Sequence, residues 1–132
     1  MPEISTTGPI RPLGPMRMTA GEDLSNDKGK AVKMSGANVI KVTAPGDDAV
    51  GVLVLGGVNG AEVLVAPFDS ADGSYHVCAG AAIANVGTPL KFDATARFVA
   101  AVATDRASAR NRVAASGAGA LVEASLHRPV TI

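Results

Sequence analysis

The sequence predicts an all-β fold: a small β-barrel or sandwich of short antiparallel strands, preceded by an extended N-terminal arm. Three observations carry this reading. Val-rich runs are broken by Gly, Asn and Asp at intervals of roughly eight to twelve residues. The order of those runs in the first half returns in the second. The opening stretch is rich in proline and has no periodic apolar face.

The arm is read over residues 1–21, with the β domain over residues 22–132. Pro2, Pro9, Pro12 and Pro15 fix φ and remove backbone donors. Each proline also biases its predecessor toward extended conformations. A frayed terminus would look like this. So would a strap that orders on a partner. Ile4, Ile10, Leu13, Met16 and Met18 favour the strap, because a pure linker is more polar.

The strand runs follow in order. "KAVKM" (30–34) is the first and "NVIKVT" (38–43) the second, with "PGDD" (45–48) as the next turn. "AVGVLVLGG" (49–57) is too β-branched and glycine-rich for a good helix. "VNG" (58–60) is a hairpin signal, since Asn-Gly readily adopts a type I′ turn. "AEVLVAPF" (61–68) returns, "DSADG" (69–73) turns and "SYHVCA" (74–79) is another strand.

The second half reads as a repeat of the first. "TPLKF" (88–92) resembles "KAVKM" at a distance of 58 residues. "ARFVAAV" (96–102) resembles "ANVIKVT" (37–43), and "GALVEASLH" (119–127) resembles "GAEVLVAPF" (60–68), both at 59. Two half-units in one order point to an internal duplication. The stretch 103–118 is rich in alanine and arginine, which favours helix. The duplication sets it opposite "AVGVLVLGG" and predicts a strand, with Arg110 and Arg112 on one face and Asn111 and Val113 on the other.

Composition narrows the function classes. The chain has 132 residues, enough for one domain with a modest core. Aromatic residues make up 3 %, too few for base-stacking platforms. Lys+Arg and Asp+Glu are both 12, so no basic excess points to nucleic acid. Zero net charge favours self-association. Cys78 is the single cysteine, which excludes an intrachain disulfide. The first twenty residues lack the apolar core of a secretory signal, and no apolar run is long enough for a membrane helix. Synthesis in a cytoplasm, with no membrane or nucleic-acid partner, is the expectation.

Catalytic candidates are scarce. His76 and Cys78 lie two apart on an expected strand, a spacing open to a nucleophile pair or half a metal site. Zinc needs further ligands, and His127 is the only other histidine. Asp47 and Asp48 lack the alternating oxygen ligands of a calcium loop. "GGVNG" (56–60) is followed by no helix that could receive a phosphate. Ser116 lacks the strand–turn–helix setting of a nucleophile elbow. The reading is therefore a protein without enzymatic activity, metal site or cofactor.

The phrase "KGKAVKMSGANVIKVTAPGDDAVGVLVLGGVNGAEVLVAPF", with "GAGALVEASL" near the end, resembles the capsid decoration, or capsid cement, family of tailed bacteriophages. The shared steps are "D-x-x-x-G-V" (Asp47 to Val52) and the closing "G-x-x-V-x-V" of "NGAEVLV". The likeness covers roughly residues 22–127. The second half departs from it, with "SARNRVAA" where a further "G-V" step belongs. The resemblance implies a structural protein on the outer surface of a phage head, made in the host bacterial cytoplasm. Its partner would be the major capsid protein, whose adjacent subunits it would clamp to stabilise the expanded shell. It also implies a homo-oligomer, a trimer at three-fold positions or a dimer at two-fold positions. The expected capsid contacts are the arm residues Ile10, Leu13, Met16 and Met18, with Arg11 and Arg17 at the rim. The competing reading is a glycan-binding β module in adhesion, which usually relies on exposed aromatics.

Overall fold

A computed structural model describes residues 15–68 and 74–132. They form ten strands: β1 (Met16–Thr19), β2 (Ala31–Ser35), β3 (Asn38–Lys41), β4 (Ala49–Leu55), β5 (Glu62–Pro67), β6 (Ser74–Cys78), β7 (Pro89–Phe92), β8 (Phe98–Ala100), β9 (Arg106–Asn111) and β10 (Leu121–Thr131). The first five make one antiparallel sheet in the order β1-β5-β4-β2-β3. The last five make a second in the order β6-β10-β9-β7-β8. Strand for strand, the second order repeats the first, as an internal duplication requires. The residues at 103–118 contribute strand β9, not a helix. Arg110 and Arg112 are exposed and Asn111 is buried, while Val113 lies exposed past the strand end.

The repeat extends to single hydrogen bonds. Gly21 N–H donates to Val39 O at 2.7 Å, and Gly80 N–H donates to Phe98 O at 2.8 Å. Each bond accompanies a parallel bridge, Ala20 with Val39 and Ala79 with Phe98. These bridges bring the two edges of each sheet together at one end, so both sheets are strongly curled. The Lys33–Asp47 ion pair (3.0 Å) returns as Lys91–Asp105 (3.1 Å).

Alternation explains the layers. On β4 and β5, Val52 and Ala66 face the second sheet, while Leu53, Val63 and Val65 face the hollow of their own sheet. The main core joins Val52, Ala66 and Phe68 to Val77, Leu90, Phe98, Val122 and Ala124. Phe98 meets Phe68 and Phe92 edge-on, with ring centroids 6.3 and 6.4 Å away, the geometry that aromatic quadrupoles favour. A second core fills the hollow of the first sheet, where Leu24 packs with Val32, Val39 and Leu53. Backbone bonds also cross the seam: Ala31 N–H donates to Ala96 O, and Cys78 N–H to Gly29 O, each at 2.8 Å.

Two expectations need correction. The arm read over residues 1–21 overlaps the fold. Met16–Thr19 is a strand paired with β5, and Ala20 is fully buried. Proline is compatible with the start of an edge strand, so Pro15 does not prevent β1. Met16 and Met18 alternate onto one face, a period hidden by the prolines before them. Residues 1–14 of the expected arm lie outside the described residues. The turn at Asn59–Gly60 is also not type I′, because Gly60 has positive φ (+87°) and Asn59 does not. Ala61 N–H donates to Val58 O at 2.9 Å, so Gly60 holds the third position of a four-residue turn, where positive φ favours glycine.

Candidate functional site

The candidate catalytic residues do not assemble. His76 is exposed on β6 and sits opposite Glu123 of β10. Cys78 is buried at the seam. Ser116 is an exposed loop residue. Among the described residues, no group of three or more His, Cys, Asp or Glu side chains could hold a metal ion. No described helix is long and apolar enough to cross a membrane.

Asp47 and Asp105 are turn clasps. Asp47 Oδ2 accepts the N–H of Thr43 at 2.7 Å, that of Ala44 at 3.0 Å and Lys33 Nζ at 3.0 Å. These donors, the Thr43 N–H foremost and then the Lys33 ammonium, pull its carboxyl down to about 2. Asp105 accepts the Val102 N–H at 2.8 Å and pairs with Lys91, and the same two causes lower its carboxyl below the usual 3.8. Both carboxylates are spent on closing loops, so neither is free for acid–base work.

The concavity with the most apolar wall lies beside β1. It is a groove of about 430 Å³, lined by Met16 and Met18 of β1, Val50 of β4, Val65 and Pro67 of β5, and Phe68. Asp48, Arg106, Arg128 and Pro129 complete it. Its far wall exists because β10 outruns its neighbour. β6 covers only Leu121–Ser125, and the pairing of β10 with β9 shifts register between Leu126 and Val130. Pro129 sits in that shift, where it has no N–H to withhold from a ladder. A smaller cavity of about 130 Å³ adjoins the groove and shares Asp48, Ala49, Arg106 and Pro129 with it. Ser108 lines this smaller cavity, and its buried hydroxyl has no hydrogen-bond partner among the described residues. Neither histidine lines either cavity, so Ser108 has no imidazole base beside it. The chemistry on offer is apolar contact with a charged rim.

Three of the six expected contact residues can be placed. Met16 is exposed (39 %) at the groove mouth, and Arg17 is exposed on the opposite face of β1. Met18 is partly buried against the core in the hollow of the first sheet, so much of its side chain is committed to the fold. Ile10, Arg11 and Leu13 lie outside the described residues. Sequence reading missed Val50, Pro67, Arg128 and Pro129 as neighbours of Met16, since only the fold brings β10 to β1. Comparison with known proteins adds no relative: no family model and no curated protein matches the chain.

Proposed function

We propose that this chain is a structural protein of a tailed-phage virion, a decoration protein that binds the outside of the head and clamps adjacent major capsid subunits. The resemblance of residues 22–127 to that family supports the reading. The observation that carries it physically is the position of the proline-rich segment, which joins the body at an exposed edge strand, β1. A rigid duplicated body with an apolar extended segment at its edge suits a partner presented in many identical copies. Such a segment can gain main-chain hydrogen bonds from a partner sheet without a deep pocket. Weak contacts repeated around a shell add up when copies are linked, as in the proposed homo-oligomer.

Within this proposal Ile10, Leu13 and Met16 supply the main contacts, with Arg11 and Arg17 at the rim. Full burial of a Leu or Ile contributes about 1.5–3 kcal/mol, against roughly 0–1 for an exposed ion pair, so apolar contact dominates. The test is co-sedimentation with expanded heads. Deletion of residues 2–14 spares β1 and should leave the β body folded while head binding falls strongly. Arg11→Ala with Arg17→Ala should weaken binding less, and mainly at low salt. Equal binding by the deletion variant and the full chain would overturn the assignment of the contact to this segment. Absence of binding by the full chain would overturn the shell reading itself.

A further inference from the structure

The groove beside β1 opens where the N-terminal segment joins the fold, and the sequence of that segment has a matching period. Residues 9–17 read as three triplets: Pro9-Ile10-Arg11, Pro12-Leu13-Gly14 and Pro15-Met16-Arg17. A polyproline II helix has three residues per turn. In that conformation the prolines form one ridge, Ile10, Leu13 and Met16 a second, and Arg11 and Arg17 a third. Met16 is the member of the apolar ridge within the described residues, and it lines the groove.

The direction of the chain also fits. β1 runs antiparallel to β5, with Met16 opposite Val65. Traced back from Met16, the chain heads along β5 toward Pro67 and Phe68, which are groove wall. Continuing the β1 ladder there is disfavoured, because Pro12 and Pro15 have no N–H to donate. A polyproline II segment needs no ladder partner.

We propose that residues 9–15 lie across this groove in the same chain, as a polyproline II strap with Ile10 and Leu13 seated beside Met16. The groove crosses β1, β5 and β4 through Met16, Val65 and Val50, a width of about 10 Å at the usual strand spacing. The ridge from Ile10 to Met16 spans about 19 Å at 3.1 Å per residue, enough to reach the β10 wall at Pro129. Asp48 at the rim offers a carboxylate to Arg11. Tethering at Met16 makes the contact intramolecular, with an effective concentration in the millimolar range for a short link. This favours the chain's own segment over a second copy. The strap covers apolar side chains that a chain of zero net charge would otherwise expose to self-association. It is a property of the free chain and does not rest on the shell reading. A shell that takes up Ile10 and Leu13 has to displace them from the groove.

The methionines provide the test. Of the four, Met16 and Met18 line the groove, and Met34 is exposed on β2. In methyl-labelled protein, Ile10→Asp and Leu13→Asp should each shift the Met16 and Met18 methyl signals and leave Met34 in place. Far-ultraviolet circular dichroism should be unchanged, and Leu13→Ile should retain the full-chain positions. The full-chain spectrum should be the same at all protein concentrations. Met16 and Met18 signals unmoved in both aspartate variants would overturn the strap. Full-chain signals that move to the variant positions on dilution would overturn seating within one chain, in favour of a second copy. Loss of head binding without methyl shifts would overturn the strap while leaving the shell reading intact.

Discussion

At equivalent positions, 58 residues apart, the first half carries Leu53 and the second Asn111. Each accepts a bond from a glycine at the same spacing: Gly29 N–H donates to Leu53 O, and Gly87 N–H to Asn111 O, both at 2.8 Å. Their side chains do opposite work. Leu53 is fully buried in the hollow of its sheet. Asn111 is also buried, but its amide is a clamp. Oδ1 accepts the Thr88 N–H at 2.8 Å, and Nδ2 donates to Asn85 O at 3.0 Å and Val113 O at 2.9 Å. One backbone frame therefore tolerates an apolar filler or a satisfied polar network at a single position. What it cannot tolerate is a polar group without partners.

Exchanging the two residues breaks this comparison most sharply. Leu53→Asn loses the burial of a leucine, about 1.5–3 kcal/mol, and strands an amide at about 1–3 kcal/mol. We expect a loss of about 4 kcal/mol in chemical denaturation. Asn111→Leu strands the Thr88 N–H and two carbonyls but gains apolar burial. Its expected loss is about 3 kcal/mol. Near-neutral effects from both substitutions would show that the hollows adapt freely.

The two glycines sharpen the point. Both have positive φ, +85° at Gly29 and +82° at Gly87. A Cβ on Gly29 would lie 2.7 Å from Cys78 N and 2.8 Å from Leu121 Cδ2, whereas one on Gly87 meets nothing within 4 Å. Gly87→Ala should cost about 1–2 kcal/mol, the left-handed penalty alone. Gly29→Ala should cost distinctly more, because it also pushes the two halves apart at the seam. Equal melting temperatures for the two variants would remove the seam from this account.

Legibility in the sequence followed the range of the interactions. The duplication was readable because turn residues and strand runs recur at 58 or 59 residues, and local chemistry sets both. β9 was readable only through that repeat, since the alanines and arginines around it favour helix. The arm boundary was misread because four prolines outweighed the two-residue alternation of Met16 and Met18. The clamp of Asn111 was not legible. Two of its partners, Asn85 and Thr88, lie more than twenty residues away, and an asparagine in a strand run reads as a turn signal. The groove was not legible either, because Pro129 reaches Met16 only through the packing of the second sheet on the first.

The smallest expected effect concerns acid, and it again separates the halves. Asp47 and Asp105 close equivalent turns, each paired with a lysine. Asp47 gathers two backbone N–H groups where Asp105 gathers one. A carboxylate whose folded pKa is depressed contributes stability that is present above its unfolded value and is lost as the pH falls through the folded one. For Asp47 that window runs from the usual 3.8 down to about 2. For Asp105 it begins at the same 3.8 and ends below it. Asp47→Asn should therefore flatten the fall in melting temperature between about pH 4 and pH 2, because the neutral amide has no proton to take up. Asp105→Asn should flatten it in the same direction and by less. Both variants should melt lower than the parent at neutral pH, where the charged clasps are intact. Melting curves collected from pH 7 to pH 2 make the comparison, and an acid limb steeper in Asp47→Asn than in the parent would contradict it.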